Sequence, residues 1–343
     1  MKNQVNEQVK ELTDRLEQGI KDLFESDKYK DYLNAMSKFH NYSFNNVMLI
    51  AMQKPDAKLI AGYNAWKNIH HRQVKQGEKA IKILAPAPYT IKVLKDKIDP
   101  DTHKPVLDNY GKPIQEEMEI KKPAFKVVNV FDVSQTDGKE IPSIGVSELQ
   151  GNVERYENLF AAIKSISPVP VEFEKIGSGA KGYYHHLLEK KIVINEGMSE
   201  LQSLKTLIHE IAHARLHDSN RLDQFTREVQ AESIAYVICQ HYGLDTSDYS
   251  FGYIAKWSSG RELGELKESL NVIRSSASEM IAEIDQYIEE LQKEHQNLSK
   301  NIIIEKGSKN KKPSVLVKLH QKQEQIKQNN VAEKRIPTKE TER

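Results

Sequence analysis

The segment His209-Glu210-Ile211-Ala212-His213 places two histidines four residues apart beside a glutamate, within a stretch whose spacing predicts a helix. Four residues are about one helical turn, so both imidazoles project from the same face. Zinc in proteins binds imidazole nitrogens offered in this way, and the adjacent glutamate can act as a base on a metal-bound water. The pattern predicts a hydrolytic zinc site, with His209 and His213 as ligands and Glu210 as the catalytic base.

Such a site needs a third protein ligand, and a second predicted helix over Phe225–Tyr242 carries two candidates. Glu228 and Glu232 are four residues apart, so one carboxylate can bind the metal while the other orients a histidine through its free ring N–H. We predict Glu228 as the ligand and Glu232 as the orienting group, and the reverse assignment stays open. The alternative is that both are solvated glutamates on a helix surface. His217 is too far along the helix to share the ion and is expected to cap or pack, and the alternative is that it contacts substrate or supports a metal ligand from behind.

Periodicity and breakers predict the elements that position these residues. Ser199 is suited to cap the helix that carries the histidines. Short apolar runs predict strands at Val169–Phe173, at Gly182–Tyr184 and at Lys191–Asn195, just before this helix. A long amphipathic helix is predicted from about residue 262 to residue 295. The histidine helix is therefore expected to pack on a small sheet.

The N-terminal half mixes helix and strand signals. Apolar residues at three- and four-residue spacing predict helix over residues 4–40. Residues 95–123 are charged and rich in turn residues, which predicts a solvent-exposed hairpin or insertion. Residues 135–145 contain Gly and Pro breakers and are predicted to be a linker. Strands are predicted at 80–84, 89–94 and 126–133.

A cluster of basic residues with interleaved aromatic residues lies before the first of these strands. A basic strip follows phosphates, and aromatic rings stack on bases without sequence preference, so a nucleic-acid-binding surface is one of two equally supported interpretations of the cluster. The alternative is a solvated face with Trp66 in the core. The predicted DNA-contacting residues are Tyr63, Trp66, Lys67, Arg72, Lys75, Lys79 and Lys82.

Several segments together carry a resemblance to a known family. They are Leu207–His217, Arg221-Leu222, Glu228–Glu232, Asn41–Ile50, Trp66 with Val74–Ile81, and Phe125–Gln135. In these segments the chain resembles the ArdC-type antirestriction proteins, over roughly residues 5–290. The sequence departs from the family pattern at Leu216, where many relatives have glycine.

The resemblance implies an α+β protein with an N-terminal single-stranded-DNA-binding domain and a C-terminal zincin-like metallopeptidase domain of the gluzincin type. We place these domains at residues 1–140 and 148–295. The implied function is protection of DNA transferred by a plasmid or integrative conjugative element, with Zn²⁺ as cofactor. The implied partners are single-stranded DNA and a protein substrate, either a host defence protein or the chain itself. The alternative is a non-catalytic DNA-binding protein with a structural or vestigial metal site.

Composition limits the remaining possibilities. The chain has 343 residues and a net charge of +1, and Cys239 is its only cysteine, so no intrachain disulfide forms. A reducing, cytoplasmic location is therefore expected. No apolar run approaches the roughly 18 residues that a membrane span needs, and the polar start does not resemble a signal peptide. Residues 296–343 are basic and poor in large apolar residues, which predicts a largely disordered tail.

Overall fold

The computed structural model describes residues 2–24, 26–141, 153–186, 189–217 and 222–307. Three of the sequence-based predictions include residues outside these ranges. They are the linker at residues 142–145, the family resemblance at Arg221 and the tail at residues 308–343. Residues 1–284 belong to one compact unit, and residues 285–343 to a second.

Helices and strands are mixed along the described chain, which confirms the α+β class. The α-helices of the described residues are α1 (Lys2–Asp22), α2 (Ser26–Phe39), α3 (Phe44–Gln53), α4 (Tyr63–Asn68), α5 (Val153–Ser165), α6 (Glu200–Leu216), α7 (Gln224–His241), α8 (Ile254–Ser258) and α9 (Leu263–Gly307). The strands are β1 (Ile60–Gly62), β2 (Arg72–Val74), β3 (Ile81–Pro86), β4 (Tyr89–Asp96), β5 (Gln115–Lys122), β6 (Phe125–Asp132), β7 (Thr136–Gly138), β8 (Val171–Glu174), β9 (Gly182–His185) and β10 (Lys191–Asn195).

Two three-stranded sheets organise the molecule. The first has the order β1-β6-β3 and is antiparallel throughout. The second has the order β8-β10-β9, in which β10 pairs parallel with β8 and antiparallel with β9. The central strand β10 is buried at Ile192, Val193 and Ile194, as its unbroken apolar run predicts. Helix α6 packs on β10 and β9, so this sheet supports the histidine helix.

Three predicted elements differ from the structure. The single helix expected over residues 4–40 is two helices, α1 and α2. The predicted linker begins later than expected, because Thr136–Gly138 pairs with β2 as strand β7. Residues 296–307, assigned to the disordered tail, continue α9, since no glycine or proline interrupts them before Gly307. The predicted exposed hairpin is confirmed, and β4 and β5 form it.

Gly138, one of the glycines on which the linker prediction was based, is paired with Arg72 in the β2–β7 ladder. Its φ is +138°, a conformation that residues with a Cβ rarely adopt. A Cβ at this position would lie 2.7 Å from the backbone oxygen of His71 and 2.8 Å from the Cα of Arg72. The glycine therefore permits close approach of the β2 backbone rather than a flexible connection.

Helix α2 and helix α7 share one core although they are some 200 residues apart in sequence. The Tyr29 hydroxyl lies 2.8 Å from Ser233 Oγ in a buried contact, and the Tyr236 hydroxyl donates to Asn34 Oδ1 at 2.7 Å. Tyr29 and Tyr236 are fully buried. The N-terminal helices thus help to hold the helix that carries Glu228 and Glu232.

Within the described residues, no helix combines the length and the apolar character that crossing a lipid bilayer requires.

Candidate metal centre

Helix α6 has the local signals that its sequence predicts. Ser199 has extended backbone angles, and its hydroxyl accepts from the backbone N–H of Gln202, so it is the N-cap. One face of α6 is fully buried at Leu204, Leu207, Ile208 and Ile211. His209 and His213 lie on a partly exposed face of the same helix, one turn apart.

Helix α7 begins at an equally well-defined cap. The carboxylate of Asp223 accepts from the backbone N–H and the hydroxyl of Thr226, and it forms an ion pair with Arg261 at 2.9 Å. Because α7 packs against α6, residues one and two turns into α7 face the histidines. This places Glu228 and Glu232 beside the motif.

The Asp223 cap gives a pH-dependent prediction. Burial would raise the pKa of Asp223, but hydrogen bonds from Thr226 and Arg261 lower it from 3.8 to about 2. A depressed carboxyl pKa stabilises the fold above the unfolded-state value, and this stability is lost as pH falls through the folded-state value. We expect Asp223→Ala to lower the free energy of unfolding by about 1 kcal/mol at pH 7, and by clearly less at pH 3. Urea unfolding at both pH values measures this. Asp223→Asn keeps a capping oxygen and should lose less at pH 7.

Three ligand atoms from α6 and α7 converge. His209 Nε2 and His213 Nε2 are 3.0 Å apart, and Glu228 Oε2 lies 3.5 Å from the first and 3.6 Å from the second. Within the described residues, His209, His213 and Glu228 are the group with metal-binding geometry. Ligands of a tetrahedral zinc ion at about 2.0–2.1 Å are about 3.3–3.4 Å from one another, so the three atoms have fitting separations.

Glu232 occupies a different position. Its Oε2 lies 3.2 Å from His209 Nδ1, on the opposite side of the ring from the converging atoms. A carboxylate accepts at this distance, so His209 Nδ1 carries the proton and Nε2 presents a bare lone pair to the site. The Glu228 carboxylate therefore lies with the two Nε2 atoms, whereas the Glu232 carboxylate contacts the Nδ1 side of the His209 ring.

The chemistry of the donor set fits a divalent cation. Imidazole nitrogens without protons and a carboxylate oxygen are all acceptors, and acceptors 3.0–3.6 Å apart repel one another unless a proton or cation lies between them. Burial would lower the pKa of His209, but hydrogen bonds to Glu228 and Glu232 raise it to about 10, so without a metal a proton on Nε2 takes the place between these atoms that a cation would take. Contacts with His209 and His213 hold the pKa of Glu228 well below its usual range. The site therefore attracts positive charge.

Glu210 is buried beside this group, with 8% of its surface exposed. The backbone N–H of Tyr184 in strand β9 donates to its carboxylate, which fixes the side chain against the sheet edge. Burial raises the pKa of Glu210, while the nearby histidines oppose that rise. A carboxylate whose pKa is raised towards neutrality is suited to accept and return a proton.

Two cavities share His209, Glu210 and Gly182 as lining residues. One has a volume of about 320 Å³ and is lined by Lys205, Asp248 and Tyr249 together with His209 and Glu210. The other has a volume of about 390 Å³ and extends past His213 along β9. We call the two cavities together the site cleft. Because the cleft continues from His209 and Glu210 towards Lys205 in one cavity and towards His213 and Glu228 in the other, an extended chain could cross it.

Lys205 is a residue of the cleft that the sequence reasoning missed. It is 6% exposed, forms an ion pair with Asp248, and lies 5.2 Å from the centre of the Tyr249 ring. A signal was present in the sequence, since Lys205, His209, His213 and His217 follow one another at four-residue spacing. Charged and polar residues repeated on one helix face indicate a shared site.

The predicted DNA-contacting residues do not all lie on one surface. Trp66 is a correction: its side chain is fully buried, and its indole N–H donates to the backbone oxygen of Phe131 at 2.8 Å. A ring enclosed in this way belongs to the core and has no face for a base. Tyr63, in contrast, is 47% exposed and packs edge-on against Phe131 at 6.4 Å between ring centres.

Arg72 is a second correction. Its guanidinium donates to Thr136, Gly138 and Lys139, and so it clamps the β2–β7 pair. The guanidinium N–H groups that would bind a phosphate are therefore already used in hydrogen bonds within the protein. The predicted lysines are exposed, and Lys75 among them lies 3.7 Å from Asp137. The exposed lysines are Lys67, Lys75, Lys79 and Lys82.

Comparisons with known proteins agree with this arrangement. Residues 1–131 match the family described as the N-terminal domain of anti-restriction factor ArdC, and residues 167–275 match a peptidase family described as the IrrE N-terminal-like domain. An uncharacterized protein of Bacillus anthracis is 30% identical in an alignment 331 residues long, which covers 86% of this chain and 54% of that protein. The chain therefore spans about half the length of this curated relative.

Solved structures give a weaker likeness. The metal-free crystal structure of a plasmid antirestriction protein, ArdC, is 21% identical, with a TM-score of 0.38 over 73% of this chain and 84% of that one. Its Mn(II)-bound structure is 19% identical, with a TM-score of 0.37 over 76% of this chain and 96% of that one.

Proposed function

We propose that the chain is an ArdC-type antirestriction protein, since residues 1–131 match the ArdC N-terminal family and residues 167–275 match an IrrE-like peptidase family. In this proposal it binds single-stranded DNA and has a metal-dependent peptidase-like site. We further propose that a plasmid or integrative conjugative element encodes it and that it protects transferred DNA. The domains are proposed to span residues 1–140 and 148–295.

The observation that carries the catalytic part is the convergence of three bare acceptor atoms beside a buried carboxylate. His209, His213 and Glu228 would hold the ion, which is proposed to be Zn²⁺ because a two-nitrogen, one-oxygen set at these separations suits tetrahedral zinc. Three protein ligands leave one position for solvent or substrate. A purely structural site has no need of a buried carboxylate beside its ligands, and Glu210 is such a group.

The chain's own residues have separate tasks in the proposed hydrolysis. A bound divalent ion would supply Lewis-acid activation of water and of a carbonyl group. Glu210 accepts the proton of the attacking water and returns it to the leaving amine, which its raised pKa favours. Glu232 keeps His209 in the tautomer with a bare Nε2. Strand β9 holds Glu210 in place through the Tyr184 N–H.

The site cleft supports a polypeptide as the substrate class. It continues in two directions from His209 and Glu210, and its two halves of about 320 and 390 Å³ can each take side chains. Charged groups line it, among them Lys181 and Lys205 on one side and Arg227 on the other. The protein cleaved is proposed to be a host defence protein or the chain itself.

The DNA-binding part rests on Tyr63 and the exposed lysines. Tyr63 and Phe131 form an aromatic pair at a cavity of about 620 Å³ that Lys75 also lines. A half-exposed aromatic ring beside an ammonium group can stack on a base while the lysine contacts the adjoining phosphate. The sequence predicted that both Tyr63 and Trp66 stack on bases, and because Trp66 is buried we propose this role for Tyr63 alone.

The lysine contribution is testable by salt dependence. We expect Lys79→Ala with Lys82→Ala to weaken binding of a random single-stranded oligonucleotide. Removing one lysine–phosphate interaction should reduce the slope of log K against log salt by about 0.7, and removing two should reduce it by about 1.4. Fluorescence anisotropy at several salt concentrations measures both effects. Lys97→Ala with Lys112→Ala, on the exposed hairpin, removes the same charge and should leave the slope unchanged. Equal effects of the two pairs would contradict the proposed surface.

The two activities are tested together on the full chain loaded with Zn²⁺. Fluorescein-labelled casein serves as an unfolded protein probe, and DNA binding is measured in the same preparation. Cleavage that a chelator stops and Zn²⁺ restores supports the proposal. Retained metal and DNA binding without any cleavage of casein or of the chain itself would favour the alternative, a DNA-binding protein with a structural metal site.

A further inference from the structure

We propose that His217 is a positioning residue, which fixes the tautomer of the metal ligand His213 through a hydrogen-bonded chain that ends at Ser269. This inference rests on the proposed metal site. It assigns a role to a histidine that lies one turn beyond the motif and outside the converging group.

The chain is continuous and buried. His213 Nδ1 lies 2.9 Å from His217 Nδ1, and His217 Nε2 lies 2.9 Å from Gln230 Oε1. Gln230 Nε2 donates to Ser269 Oγ at 2.9 Å. His217, Gln230 and Ser269 are 6%, 3% and 6% exposed, so water has little access to the chain. The four residues come from α6, the end of α6, α7 and α9.

The direction of the bonds determines which nitrogen of His213 carries the proton. Gln230 Oε1 can only accept, so His217 Nε2 donates and carries the proton of the neutral ring. His217 Nδ1 is then an acceptor, and His213 Nδ1 must donate to it. His213 Nε2 is left bare, and it is the atom that lies 3.0 Å from His209 Nε2 in the metal-binding group.

His217 is thereby excluded as a metal ligand. Its Nδ1 faces the rear of the His213 ring, and its Nε2 is engaged by Gln230. It also ends the helix, because its backbone N–H donates to the His213 oxygen at 2.9 Å. The same residue therefore holds the backbone and the ring of His213.

The two histidine ligands are oriented by different means. Glu232 accepts from His209 Nδ1 at 3.2 Å with a carboxylate, whereas a neutral imidazole lies behind His213. A neutral acceptor adds no further negative charge to a site that already has three carboxylates close by, Glu210, Glu228 and Glu232. If the Gln230 amide were turned over, every bond would reverse and a proton would occupy His213 Nε2, where it would block the metal.

Two substitutions at His217 separate positioning from simple packing. His217→Leu fills the buried space and removes the acceptor. His217→Asn keeps an oxygen near the place of Nδ1. Competition of Zn²⁺ binding against a chromophoric chelator measures affinity, and thermal unfolding of the metal-free variants measures folding. We expect the leucine variant to bind Zn²⁺ about 10–100-fold more weakly and the asparagine variant to recover most of this loss.

Long-range proton–nitrogen spectra of the histidine rings give a readout independent of affinity. In the wild type, the proton of His213 should reside on Nδ1 and that of His217 on Nε2. In the leucine variant, His213 should populate both tautomers. Wild-type Zn²⁺ affinity in both variants, or a protonated His213 Nε2 in the wild type, would overturn the inference. Absence of Zn²⁺ binding by the wild type would instead overturn the proposed metal site.

Discussion

Replacing Glu210 with glutamine is expected to reduce metal-dependent hydrolysis by about 10²–10⁴-fold, the usual contribution of a general base. Glutamine keeps the size of the side chain and can still accept from the Tyr184 N–H, but it cannot take a proton from water. Glu210 is not among the three converging ligand atoms, so Zn²⁺ affinity should stay within a few-fold of the wild type. Initial rates of casein cleavage, with metal content measured in the same samples, test both parts.

The matched control lies on the same helix. Glu200→Gln makes the same chemical change in the first turn of α6, where the side chain is exposed and outside the cleft. It should cleave at the wild-type rate. If Glu210→Gln also cleaves at that rate while metal dependence persists, Glu210 is not the base.

Replacing Trp66 with alanine is expected to lower the free energy of unfolding by about 3–5 kcal/mol. The side chain is fully buried, packs at 4.8 Å from the His70 ring, and donates to the Phe131 oxygen of strand β6. Removing it leaves a cavity between α4 and the first sheet and takes away the indole hydrogen bond to strand β6. Chemical unfolding measures the loss.

A comparison with Tyr63 tests whether Trp66 belongs to the core or to the DNA-binding surface. Trp66→Leu removes the aromatic ring but retains apolar volume, so under conditions where it stays folded its DNA affinity should match the wild type. Tyr63→Ala should change stability little and reduce DNA affinity by about 1–3 kcal/mol. The reverse pattern, with binding lost in Trp66→Leu and retained in Tyr63→Ala, would restore Trp66 as the stacking residue.

The sequence was most informative where chemistry and helical spacing coincide. Four-residue spacing predicts that His209 and His213 share a face, and it places Glu228 and Glu232 on one face of the next helix without deciding which of them approaches the metal. Ser199 was predicted correctly as the cap, because capping depends on local hydrogen bonds alone. These features need no knowledge of distant packing.

The sequence was least informative where tertiary contacts decide the outcome. Trp66 and Tyr63 lie three residues apart with similar neighbours, yet one is buried and the other exposed, because only the packing of α4 against β6 distinguishes them. In the sequence Arg72 cannot be distinguished from the lysines near it. Only the folded β2–β7 pair brings the backbone oxygens of Thr136 and Gly138 to its guanidinium. Contacts such as Tyr29 with Ser233 link residues 204 positions apart and leave no local signal.

The central claim is that His209, His213 and Glu228 bind one divalent ion, and metal stoichiometry tests it most directly. The metal-stripped protein is titrated with Zn²⁺ against a competing chelator, and His213→Ala and His103→Ala, an exposed histidine on the hairpin, are titrated alongside. The account predicts one tightly bound ion per chain in the wild type and in His103→Ala, and affinity reduced at least about 100-fold in His213→Ala. No stoichiometric ion in the wild type, or equal binding by His213→Ala, would contradict it.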